Sequence, residues 1–122
     1  MQSYKDLEIY QLSHKLAVEI HKMTLKDLPK FEMYEEGSQI RRSSKAVVSN
    51  IVEGFGRKRY QSDYIKFLVY AHSSCDETKE HLELLFKTKS LTDKNQYNYF
   101  KEEYDKLSRK INKFLQAFGR EA

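Results

Sequence analysis

Apolar residues recur along this chain at steps of three and four, in four runs separated by short breaks. That is the period of a helix with one buried face. The first run, from about Leu7 to Met23, sets Ile9, Leu12, Leu16, Ile20 and Met23 on one stripe. Ser3 or Asp6 is placed to cap its start, and Pro29, which disfavours helical geometry at Leu28, closes it. The second run lies between about Glu32 and Phe55; Gly37 weakens its beginning, so its firm part starts at Ser38. Ile40, Ser44, Val47 and Ile51 form one stripe there. Arg42, Ala46, Ser49 and Glu53 form a second on the opposite side, with Val48 and Val52 on a flank. A helix with apolar or small residues around most of its circumference is expected to be buried on more than one side. In the following "GFGRKRYQ" the glycines are expected to stop the helix and turn the chain at positive φ.

The third run is expected to start at a Ser62 cap, with Asp63 in the first turn where the helix dipole favours negative charge. Tyr64, Leu68, Ala71, Cys75, Thr78, Leu82 and Leu85 then alternate steps of four and three. Thr92 is expected to cap the fourth run, in which Tyr97, Phe100, Tyr104, Leu107, Ile111, Phe114 and Phe118 keep the same spacing and Gly119 supplies a stop. Such regular seams predict near-parallel packing, and short connections predict antiparallel neighbours. The expectation is one all-α domain over residues 1–122, an antiparallel up-down-up-down four-helix bundle. Its expected core is Leu16, Ile20, Val47, Ile51, Leu68, Ala71, Cys75, Leu82, Phe100, Leu107, Ile111 and Phe114.

Composition agrees with a helical reading: charged residues make up 33%, and there is one proline and only four glycines. No stretch approaches the apolar length of a membrane span, and the first residues lack the apolar core of a signal peptide, so a soluble cytoplasmic protein is expected. Charge changes the picture more. The chain carries +4, but Ser38 to Tyr60 holds Arg41, Arg42, Lys45, Arg57, Lys58 and Arg59 against a single acid, Glu53, so that segment carries +5 and the rest −1. With Phe55 and Tyr60 interleaved, these six residues are candidate contacts to nucleic acid; the competing reading is a solvated face.

Catalysis needs a constellation, and none is apparent in the sequence. Glu-x-x-His pairs of a di-iron bundle do not occur; Glu77 and His81 share a face at i, i+4, which reads as a polar stripe before it reads as a metal site. The single cysteine, Cys75, sits on the core seam and reads as a small filler. Gly54-Phe55-Gly56-Arg57-Lys58 follows a helix, whereas phosphate-cradling glycines precede one. Asn50, Glu53 and Glu77 are read as structural hydrogen bonding between helices. No enzymatic activity, cofactor or metal is therefore expected.

"QIRRSSKAVVSNIVEGFGRK" resembles the signature of the small four-helix bundle proteins found as reading frames in an intervening sequence of bacterial 23S ribosomal RNA. Gln39, Arg41, Arg42, Ser43, Ser44, Asn50, Ile51, Glu53, Gly54, Gly56 and Arg57 carry that likeness. Phe67, Leu68, Ala71, Ser74 and Glu77 match the family's next motif. The likeness covers about Tyr4 to Phe118; Val52 and Ser73 depart from the usual alanine and glycine. The resemblance implies a ring-like homopentamer with no established enzymatic activity. The chain is also similar to the accessory variability determinant of diversity-generating retroelements, a basic pentamer that binds nucleic acid and a reverse transcriptase. RNA or DNA and a protein partner of that kind are the partners this implies. The alternative is a purely structural or protein-binding oligomer, and a weaker third reading is a hydrolase or metal protein.

Overall fold

The computed structural model describes residues 3–121. Four helices run through it: α1, Glu8–Lys26; α2, Glu36–Gly56; α3, Gln61–Lys87; and α4, Lys94–Glu121. Consecutive helices pack side by side and α1 meets α4, which closes an up-down four-helix bundle. No helix among the described residues is long and apolar enough to cross a membrane.

Periodicity placed the core well. Of the twelve expected core residues, all are buried except Phe114, which is half-buried. Phe114 packs against the core's edge in an aromatic cluster, 5.8 Å from the Tyr64 ring and 5.2 Å from Phe118 between centroids. A buried polar contact locks α2 to α3, where the Thr78 hydroxyl donates to Ser43 Oγ at 2.8 Å.

The helix ends are less well placed by sequence. Ser3 and Asp6 form a reciprocal capping box, but on a separate 3-10 turn, Tyr4–Asp6; α1 itself starts after Leu7 with no side-chain cap. α1 ends at Lys26, so Leu28 is non-helical as expected, and Pro29 also opens a second 3-10 turn, Lys30–Tyr34. Gly37 does not weaken α2: it lies in the first turn, buried, where an added Cβ would stand 2.4 Å from the Glu32 carbonyl oxygen. Glu32 is itself buried, and its carboxylate accepts from Ser90 Oγ at 2.5 Å and from the Gly37 amide at 3.3 Å. The turn before α2 is thereby tied to the α3–α4 connection.

The expected left-handed turn at Gly54 and Gly56 is absent. No described glycine has positive φ, and α2 continues through Gly56. Gly54 is buried because α3 comes close: a Cβ there would lie 3.1 Å from Phe67 Cβ and 3.2 Å from Tyr64 Cδ1. The positive φ falls on Lys89, at 68°, in the α3–α4 turn. Tyr60 rather than Ser62 precedes α3, with no side-chain cap. Asp93 rather than Thr92 caps α4, its Oδ1 accepting from the Asn95 and Gln96 amides at 2.9 and 3.2 Å. Gly119 does not stop α4, which runs on to Glu121.

Candidate nucleic-acid interface

The six cations of the basic segment do not form one patch. Arg41, Arg42 and Lys45 lie in the first half of α2 and Arg57, Lys58 and Arg59 follow its last residue, which at roughly 1.5 Å per residue puts Arg41 and Arg57 about 24 Å apart. In the first group Arg41 and Arg42 are occupied and Lys45 is not. Arg41 Nη1 donates to Thr24 Oγ1 at 2.9 Å and its Nη2 to the Met33 carbonyl at 2.6 Å, so it clamps the end of α1 and the second 3-10 turn. Arg42 pairs with Glu77 on α3 and donates to Gln39 Oε1 at 3.2 Å. Lys45 is exposed and faces α1.

The second end is a corner where α2 turns into α3. Arg57 bridges two carboxylates, Glu53 at 3.0 Å and Asp63 at 3.5 Å, which neutralise it locally. Lys58 and Arg59 are exposed and make no ion pair among the described residues; Lys58 Nζ lies 3.9 Å from the Phe55 ring centroid. The first turns of α3 add partners that the sequence reading missed. Lys66 Nζ lies 5.8 Å from the Phe67 ring and 6.0 Å from the Tyr70 ring, and the Arg57 guanidinium stands 5.0 Å from Phe67. Phe67 meets Tyr70 edge-on at 5.7 Å. Tyr60 and Tyr70 are 61% and 45% exposed, and Lys66, over Tyr70, makes no ion pair among the described residues. A signal was available: Lys66 and Tyr70 are i, i+4 neighbours off the core stripe of α3.

The interhelix hydrogen bonding expected of Asn50, Glu53 and Glu77 is made by Glu77. Besides Arg42 it meets His81 Nε2 at 3.4 Å, and His81 Nδ1 lies 2.6 Å from Glu36 Oε2. Glu53 bonds within its own helix and its end turn, because it faces solvent rather than α3. Asn50 is half-buried and its side chain makes no hydrogen bond among the described residues. No three His, Cys, Asp or Glu side chains among the described residues are placed to hold a metal ion. Cys75 is fully buried, and burial pushes its thiol pKa up to about 12.

A separate feature lies between α1 and α2: an open groove of about 450 Å³ lined by Ala17, Val18 and Val48 together with His14, Lys22 and Lys45. His21 also lines it; its Nδ1 is buried without a partner, and desolvation with the nearby Lys45 and Arg41 lowers its pKa. No carboxylate lines this groove. On the other side of the bundle the α3–α4 groove carries Asp76, Glu80, Glu83 and Asp105 against Lys79 and Lys101.

Comparison with known proteins adds two findings. The family model described as 23S rRNA-intervening sequence protein matches residues 5–113. Among solved structures, a protein of unknown function from the S23 ribosomal protein family of Bacteroides thetaiotaomicron superposes with a TM-score of 0.77. It covers 88% of this chain and 95% of its own at 23% identity, which is a likeness of fold. No curated protein matches the chain.

Proposed function

The chain belongs to the 23S rRNA-intervening sequence protein family, and we propose that it is a non-enzymatic, self-associating bundle that binds nucleic acid at the α2–α3 corner. The observation that carries this reading is the company of the cations there. Lys58, Arg59 and Lys66 lack carboxylate partners among the described residues and sit beside exposed tyrosines, whereas Arg41 and Arg42 are engaged in packing. Free cations release counterions from phosphates on binding; cations already paired to carboxylates do so far less. The test is anisotropy of labelled RNA and DNA against salt. Each phosphate neutralised adds about −0.9 to the log–log slope on duplex DNA and about −0.7 on a single strand. The triple variant Lys58→Ala, Arg59→Ala, Lys66→Ala should flatten that slope while leaving the melting temperature alone. An unchanged slope, or no binding by the wild type at low salt, refutes the reading and leaves a structural or protein-binding oligomer.

Self-association is supported by the α1–α2 groove. Its apolar lining and unopposed cations complement the acidic α3–α4 groove of a second copy. Two different faces meeting in this way make a head-to-tail contact, which closes into a ring when the rotation allows, and a pentamer is the ring we propose. Light scattering at micromolar concentration should show one closed species, and Val48→Glu should convert it to monomer. A monomeric wild type would overturn this part.

A further inference from the structure

We infer that the exposed α2–α3 face accepts an unpaired base on the Tyr70 ring, so that the preferred nucleic acid is single-stranded; this rests on the nucleic-acid reading above and narrows it. Three observations converge on one place. Tyr70 is 45% exposed, and its T-shaped contact with Phe67, 5.7 Å between centroids, steadies the ring. Lys66 Nζ lies over that ring, 6.0 Å from its centroid, with no carboxylate partner among the described residues, so a stacking base displaces an unpaired ammonium on a flexible stem that can swing to the nucleotide's phosphate. Asn50 is the third. The antiparallel register set by Arg42 with Glu77, Ser43 with Thr78 and Gly54 with Phe67 puts Asn50 level with Tyr70.

Asn50 is half-buried and its amide has no hydrogen-bond partner among the described residues. A carboxamide offers both donors and an acceptor, which suits the edge of a base. Glu53 and Asp63 pair with Arg57, so the phosphate is steered to Lys66 rather than to Arg57. A duplex keeps its bases stacked and paired and presents no free face to Tyr70; a single strand does.

The experiment compares a labelled twelve-nucleotide oligo-U with the oligo-U·oligo-A duplex of the same length, at one salt concentration, on the full chain. The wild type should prefer the single strand. Tyr70→Ala should weaken single-strand binding by about 5- to 150-fold, the range for loss of one base–aromatic stack, and leave duplex binding unchanged. Tyr70→Phe, which keeps the ring, should bind as the wild type does, and Asn50→Ala should lose affinity for the single strand only. Equal wild-type affinity for both forms, or equal loss on both in Tyr70→Ala, overturns the inference while the nucleic-acid reading stands. Absence of binding to either form removes both. An unaffected Asn50→Ala overturns the part given to Asn50.

Discussion

Replacing Gly37 by alanine should destabilise the bundle, although helix propensity alone gives the opposite sign. Exchange of glycine for alanine inside a helix is worth about 1 kcal/mol in favour of alanine. The added methyl, however, would stand 2.4 Å from the Glu32 carbonyl oxygen, 3.1 Å from its carbonyl carbon and 3.3 Å from its Cβ. Relief needs a displacement of most of an ångström, and Glu32 is poorly free to give it. It is 4% exposed, its carbonyl accepts the Glu35 amide at 3.3 Å, and its carboxylate holds Ser90 Oγ and the Gly37 amide. Forcing a methyl into such a site costs roughly 1–3 kcal/mol, and weakening a buried hydrogen bond adds about 1 kcal/mol or more. The net expectation is a loss of about 1–3 kcal/mol, which at about 4 °C per kcal/mol for a chain of this size lowers the melting temperature by about 4–12 °C. Gly56→Ala is the internal control. It ends the same helix, has no positive φ, and an added Cβ meets nothing within 4 Å. It should stabilise by about 0.4–1 kcal/mol. Both are read from thermal and urea melts followed by circular dichroism, at one protein concentration because association contributes to stability. If Gly37→Ala melts above the wild type, as Gly56→Ala should, the close-approach argument is refuted.

Truncating Leu82, 1% exposed in the α3 seam, to alanine should cost about 2–5 kcal/mol in a urea melt; a loss below about half a kcal/mol would mean the cavity collapses freely. Arg41→Ala should lower stability by about 1–3 kcal/mol through its lost ties to Thr24 and Met33, while leaving the salt slope of nucleic-acid binding unchanged. Alkaline pH should destabilise the fold. Burial raises Cys75 and Tyr64 to about 12 and pushes Tyr104 well above its ordinary value, so the folded state holds these protons more tightly than the unfolded chain. Their stabilisation is therefore complete below about pH 9 and declines as pH rises from there toward 12. A urea midpoint that stays flat to pH 11 would contradict this, and Cys75→Ala should move the onset up toward the tyrosines.

The core was legible because burial on a helix is periodic, and a period can be read along one dimension. Leu68, Ala71, Cys75 and Leu82 announce their face without any knowledge of what covers it. Helix ends were legible only to within a residue or two, since Thr92 and Asp93 are chemically interchangeable as caps and local geometry picks Asp93. Glycine was ambiguous in a deeper way. It signals that a side chain is excluded, not whether torsion or a neighbour excludes it; at Gly54 the neighbour is Phe67, thirteen positions along and across a helix pair.

The basic segment shows the same limit. Its charges can be counted in the sequence, but whether each is free depends on Glu77, Asp63 and Thr24, which the register of α2 against α1 and α3 brings near. That register divides the segment. It spends Arg41 and Arg42 on cohesion, neutralises Arg57 between Glu53 and Asp63, and leaves Lys58 and Arg59 at the corner with Lys66 and Tyr70 of α3. A motif contiguous in sequence is thus two structures in space, and the part with spare charge is completed by residues outside it. Substitutions at Arg41 and at Lys58 should accordingly separate stability from binding, although a count of charges treats the two as equivalent.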